Sequence, residues 1–271
     1  MELDIFQNPY TGLPLQWASA KQQTGLSDAG GNFFPLRNGY PNFLAGQKIT
    51  GLNQKFQQFY DRTGRMAGLF ERFLHLFSPV RRQREAWLEG LAIRPGDRVL
   101  EVSVGAGWNI RQLPAEANYH GMDISAGMLD HCIQNAHRWG VRLQLCQANA
   151  EFLPYRDNVF DSVFHIGGIN FFNDRGRAIR EMIRVAKPGA PVVIIDHTAK
   201  DLKKQYRKLA FMRHCFRETG LDRSRLYAPA EFVPEEIRDV EVKLLDNGSM
   251  YRLSFNKPAS IPERPFYVPN T

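Results

Sequence analysis

The run Asp97-Arg98-Val99-Leu100-Glu101-Val102-Ser103-Val104-Gly105-Ala106-Gly107 constrains this chain more than any other stretch. Val99, Leu100, Val102 and Val104 make a β-branched apolar segment, the pattern of a strand covered on both faces. Such strands occur in parallel sheets, so the remaining chain has to supply crossover helices. Glu101 lies inside the run, and a carboxylate there needs a reason. Gly105 and Gly107 follow, and glycine lets a backbone turn tightly against a ligand. Strand, glycine turn and helix in this order build a nucleotide site at the strand's carboxyl end.

The downstream pattern supplies the helices. Strands are predicted at 98–104, 118–123, 141–147, 160–166 and 191–197. Helices are predicted at 107–113, 125–138 and 174–186, with Ser125 and Asp174 as N-caps. This alternation implies an α/β fold, a parallel sheet with helices on both faces. Residues 240–245 and 250–255 flank Asp246-Asn247-Gly248 and read as an antiparallel hairpin that closes the sheet. An insertion at 198–237 has room for a helix over the active-site edge. The tail beyond it, with Pro258, Pro262, Pro265 and Pro269, is expected to run extended.

Two segments precede the sheet. Residues 1–46, rich in Gly, Pro and Asn, read as a small turn-rich, largely non-helical module, and 47–271 as the main domain. Within the latter, Met66, Leu69, Phe70, Phe73, Leu74 and Phe77 form one apolar helical stripe. Ser78-Pro79 then reads as the start of a second helix ending at Gly90.

Composition narrows the class. In 271 residues, 43% hydrophobic and 23% charged content allows a substantial core without disulfides or metal. Cys132, Cys146 and Cys215 form no CxxC pair and read as reduced thiols of a cytoplasmic protein. No signal-like segment and no apolar run of about 18 residues is present, which excludes a secretory signal and an ordinary transmembrane helix. The net charge of +7 favours anionic partners. Much of it falls in Lys200, Lys203, Lys204, Arg207, Lys208, Arg213 and Arg217, against the single acid Asp201. That run reads as a solvated helix face or as a contact with an anionic membrane surface.

Three nucleotide readings compete for the glycine loop. A phosphate-cradling loop needs Gly-Lys-Ser/Thr, but Trp108-Asn109 follows Gly107. A dinucleotide site wants a third glycine where Ile110 stands. S-adenosylmethionine has no phosphate and carries a sulfonium and an ammonium group, which an acid such as Glu101 suits. Asp123, about 20 residues on at the end of the second strand, can accept both ribose hydroxyl protons. Ser125 is better placed than Asp123 to cap the next helix.

The ordered series extends further. It comprises Glu101-x-Ser103-x-Gly105-x-Gly107, then Gly121-x-Asp123-Ile124-Ser125 with Met128-Leu129, then Asn149-Ala150-Glu151-x-Leu153-Pro154. Phe160-Asp161-Ser162-Val163 and Arg184-Val185-x-Lys187-Pro188-Gly189 complete it. Over roughly residues 55–255 it resembles the class I S-adenosylmethionine-dependent methyltransferases, in the group with quinone C-methyltransferases and phospholipid N-methyltransferases. The resemblance implies a Rossmann-like, seven-stranded, mostly parallel sheet with an antiparallel C-terminal strand. It places Glu101, Ser103, Gly105, Ala106 and Gly107 at the methionine part of the cofactor and Asp123 at the ribose. Ile124 would pack on the adenine, with Met128 nearby, and Asn149, Ala150 and Glu151 would flank the adenine edge. His165 would face the methionine moiety or the acceptor, and Tyr60 would close over the cofactor. Two positions depart from the family: Ser103 replaces a glycine and Asn149 an aspartate. Asn8-Pro9-Tyr10-Thr11 resembles the Cys-Pro-x-Cys of a small zinc ribbon. With Asn8 and Thr11 in the cysteine places, no metal is expected.

Methyl transfer is an in-line displacement that depends mainly on alignment. A general base matters only when the nucleophile carries a proton, and His165 and the pair Asp196-His197 are the candidates. Phe171, Phe172, Phe211, Met212 and Phe216 imply a small, apolar or amphipathic acceptor. Two other readings stay open: a cofactor-binding protein without transferase activity, and an RNA methyltransferase. Against the latter, no Asn-Pro-Pro-Tyr follows the fourth strand.

Overall fold

The computed structural model describes residues 1–20, 22–62, 87–88, 90–198 and 229–259. The N-terminal module is non-helical as expected, but its turns join strands. β1 (Gln16–Ala20), β2 (Gln23–Ser27), β3 (Phe33–Arg37) and β4 (Tyr40–Pro41) form an antiparallel sheet in that order. The sheet's turns are tied by Asp28, which is only 4% exposed. Its carboxylate accepts from Asn8 Nδ2 at 2.5 Å, Asn32 N at 3.0 Å, Asn32 Nδ2 at 2.9 Å and Thr11 Oγ1 at 3.4 Å. Asn8 and Thr11 thus converge on one buried acid.

The main sheet contains β5 (Arg98–Val102), β6 (Asn118–Asp123), β7 (Leu143–Gln147), β8 (Ser162–Ile166), β9 (Pro191–His197), β10 (Glu241–Leu245) and β11 (Met250–Asn256). Its order is β10-β11-β9-β8-β5-β6-β7. β5 to β9 are mutually parallel, and β11 runs antiparallel to both β9 and β10. Among the described residues the helices include α1 (described over 51–62), α2 (Ala126–Trp139) and α3 (Arg175–Val185). Both predicted caps form: Ser125 Oγ accepts from Met128 N, and Asp174 from Arg177 N.

Strand side chains alternate between the two faces. Leu100, Val102 and Ile194 pack under α3's Ile179 and Met182, whereas Val99, Phe164 and Val193 pack with α2's Leu129 and Cys132. The sheet is therefore covered on both sides. The N-terminal module shares the first of these clusters through Phe6, Phe34 and Phe43. Phe6 stacks on Tyr155 with ring centroids 5.0 Å apart. Phe43 N donates to Gln147 O at 2.8 Å, and Asn42 bridges Gln147. These contacts cover the otherwise open edge of β7.

The predicted helix at 107–113 is corrected. Only a 3-10 turn, Ile110–Gln112, is present. Gly107 is left-handed at φ 81°, the Asn109 amide is drawn to Glu101, and Pro114 blocks extension. Three residues are too few to propagate an α-helix. The first strand also stops at Val102, because Ser103 turns to φ 60°. The stripe at 66–77, the Ser78-Pro79 start, the basic run at 200–217 and the tail from 260 lie outside the described residues. Among those described, no helix is long and apolar enough to cross a membrane.

Candidate cofactor and acceptor site

β5 has β6 on one side and β8 on the other, so the crossovers leave it on opposite faces. A crevice opens at such a switch point, beyond the strands' carboxyl ends. The loop 103–107 lies there, with Ser103, Gly105 and Gly107 at φ 60°, 53° and 81°. Glycine enters this region freely and serine does so at a cost, which explains why a glycine suits the first position better. A Cβ on Gly105 would lie 3.3 Å from Met128 Cε, and one on Gly107 2.8 Å from Cys132 Sγ. The loop is thus pressed against α2, and Asn135 Nδ2 holds the Ala106 carbonyl at 3.0 Å.

Two buried acids flank the loop. Glu101 is fully buried, and its Oε1 accepts from Asn109 Nδ2 at 2.5 Å. Asp123 Oδ2 accepts from Gly105 N at 2.9 Å, and Oδ1 from Ser125 N at 2.9 Å. Burial pushes the Asp123 carboxyl up to about 6, against the lowering effect of the Ser125 and Gly105 N–H donors. It therefore remains largely ionised at neutral pH.

The ends of β6 and β7 supply the next wall. The half-buried Ile124 has its carbonyl held by Gln57 Nε2 and Gln147 Nε2, each at 3.1 Å. Ala150 is buried, and Asn149 Oδ1 accepts from Glu151 N at 3.0 Å, stiffening that turn. Glu151 has a bracing position. Its Oε1 accepts from Asn53 Nδ2 at 2.8 Å and Asp174 N at 3.1 Å, joining α1 to the start of α3. Tyr60 lies half-buried in α1, 5.2 Å from the Phe59 ring.

His165 lies near the carboxyl end of β8. It is fully buried, with Nδ1 2.8 Å from Val102 O and its ring 5.4 Å from Phe172. A carbonyl only accepts, so Nδ1 carries the proton and Nε2 presents its lone pair. Nε2 has no hydrogen-bond partner among the described residues. Burial pulls the imidazole's pKa down, and the nearby Asp196 opposes that shift. Asp196 itself moulds the following loop. Its Oδ2 accepts from Gly168 N at 3.2 Å, Asn170 N at 3.3 Å and Asn170 Nδ2 at 3.1 Å, while Oδ1 takes His197 N at 2.7 Å. His120 is packed edge-on to Tyr155 and Phe160.

Glu101, Ser103, Gly105, Ala106, Gly107, Asp123, Ile124, Met128, Asn149, Ala150 and His165 are thus gathered at adjoining strand ends. Sequence reading missed Asn53, Gln57, Asp61, Asn109 and Gln147. Their only signal was proximity to a motif, because each acts through a partner distant in sequence. A cradle without Lys or Arg in its loop and with two buried acids beside it fits a cationic, phosphate-free nucleoside ligand. S-adenosylmethionine meets that description.

The strand order and the acid-flanked glycine cradle define a class I methyltransferase fold. Residues 100–194 match the methyltransferase domain family. Over 111 residues, 40% of either chain, the sequence is 37% identical to an uncharacterised protein of Mycobacterium tuberculosis. Over 155 residues it is 29% identical to a ubiquinone/menaquinone biosynthesis C-methyltransferase of Geotalea daltonii, spanning 55% of this chain and 66% of that enzyme. The match thus takes in less than two thirds of either relative. A solved S-adenosylmethionine-dependent methyltransferase from Aquifex aeolicus aligns with TM-score 0.51 at 18% identity, covering 69% of this chain and 97% of that one. Over part of its length the chain is thus similar to S-adenosylmethionine-dependent methyltransferases, and it shares their fold.

Proposed function

We propose that this protein transfers a methyl group from S-adenosylmethionine to a small or lipid-like acceptor. The observation that carries this reading is the clamp of Asp123 on Gly105 and Ser125, which presents an ionised acid beside a glycine cradle. When bound, S-adenosylmethionine supplies a methyl group on a sulfonium, an electrophile that leaves a neutral thioether. The chain's part is to bind and align. Asp123 accepts from the ribose hydroxyls, Glu101 and the loop surround the cationic amino-acid end, and Ile124 and Met128 pack on the adenine. The quinone-pathway name of the Geotalea relative and Phe172 beside His165 support an acceptor with an apolar body.

Isothermal titration with S-adenosylhomocysteine, followed by labelled-methyl transfer into a cell extract, tests the proposal. Micromolar binding and a labelled product are expected; no binding at millimolar ligand overturns it. Binding without any product would favour a non-catalytic cofactor-binding role, a reading to which the left-handed Ser103 lends support. His165 Nε2 is the proton acceptor on this reading. His165→Asn is expected to keep S-adenosylhomocysteine affinity and to cut transfer by roughly a hundredfold if the acceptor atom loses a proton. Undiminished transfer would remove His165 from that role.

A further inference from the structure

Asp61 lies in α1 with its carboxylate on the first turn of α2. Its Oδ1 accepts from Ser125 Oγ at 2.6 Å and from Gly127 N at 3.0 Å. Ser125 Oγ in turn accepts from Met128 N at 3.2 Å, so the hydroxyl is used in both directions. The Ser125 N–H donates to Asp123 Oδ1, and the other Asp123 oxygen takes Gly105 N. An unbroken series of hydrogen bonds therefore runs from α1 through α2's cap to the ribose-side acid and the glycine cradle.

The packing is equally specific. A Cβ on Gly127 would sit 3.1 Å from Asp61 Cα and 3.3 Å from the carbonyls of Asp61 and Tyr60. A side chain there would require the α1 backbone to give by a few tenths of an ångström. One turn earlier, Gln57 holds the Ile124 carbonyl, and Phe56 stacks on Phe171 with centroids 4.2 Å apart. Asp61 thus anchors a helix that touches both the adenine-side and the acceptor-side walls. A carboxylate at a helix N-terminus also meets α2's unsatisfied N–H groups and its positive pole.

We propose that Asp61 is a positioning residue: a latch that seats α1, and with it Tyr60, over the cradle and fixes Ser125 and Asp123 for the ribose. The proposal rests on the cofactor reading above, but its first arm needs no ligand. In hydrogen exchange of the ligand-free protein, Asp61→Ala is expected to speed exchange across 51–62 and at the Gly127 amide at least tenfold. In titration it is expected to weaken S-adenosylhomocysteine binding about tenfold, with Asp61→Asn, which keeps an acceptor oxygen, restoring most of the loss.

Gly127→Ala separates the latch from ordinary helix stability. Alanine raises helix propensity, so a purely structural role predicts equal or greater stability and unchanged affinity. The latch predicts weaker ligand binding in a protein whose melting temperature has not fallen. Wild-type exchange and affinity in both Asp61→Ala and Gly127→Ala would overturn the proposal. Should the unaltered protein bind no S-adenosylhomocysteine, the cofactor reading fails, and the exchange arm alone decides whether Asp61 seats α1.

Discussion

Asp123→Ala is expected to raise the dissociation constant for S-adenosylhomocysteine about a hundredfold. The carboxylate is held in place by Gly105 N and Ser125 N and is shielded from bulk water. Ribose hydroxyls would add donors to a charged acceptor, each bond worth about 1.5–3 kcal/mol. A loss of about 3 kcal/mol corresponds to roughly two powers of ten in affinity. The same carboxyl sets a pH dependence. Its value of about 6 in the ligand-free fold lies above that of an unfolded chain, so ionisation costs the empty fold stability as pH rises through that window. Hydroxyl donors favour the ionised form, so affinity is flat above that value and falls as pH drops below it. Titrations from about pH 5 to about pH 8 read this directly. A wild-type affinity without acid decline, or an alanine variant that binds normally, would remove Asp123 from the ribose site.

Asp28→Ala is expected to destabilise the fold by about 3 kcal/mol, because the buried Asn8 amide and the donors of the exposed Asn32 lose their common acceptor. At this chain length that corresponds to a melting temperature lower by roughly 9 °C. Burial pushes the Asp28 carboxyl up, but the Asn8 and Asn32 donors outweigh it and hold it below the ordinary value. Its stabilising contribution is therefore full above the unfolded value and is lost as pH falls through the lower folded one. Hydrogen exchange should show residues 1–46 opening first in acid, and earlier still in the variant. A thermal midpoint equal to wild type would assign no structural weight to this cluster.

Both acids show why some of the molecule was legible and some was not. Asp123 was readable because its role follows from local order: strand end, acid, then a serine that caps the next helix. Asp28 carried no such signal. Its partners Asn8 and Thr11 are separated from it by β1 and β2, and only the folded meander brings them together. The helix expected at 107–113 failed for a related reason, since Asn109 is held by Glu101 and the left-handed Gly107 prevents a regular turn. Glu151 shows the opposite case, a motif residue whose carboxylate is taken up by Asn53 and Asp174 N.

The run from Arg98 to Gly107 determined by itself that a buried parallel strand would end in a tight, acid-flanked turn. β-branched apolar residues have no other stable place, and only small residues turn so closely. Asp123 and the terminal hairpin were likewise written in local pattern. Tertiary structure alone decided which groups face that turn: the tautomer of His165, the seating of α1 by Asp61, and the cover that residues 1–46 lay over β7. These depend on contacts between residues far apart in the chain, which local periodicity does not encode.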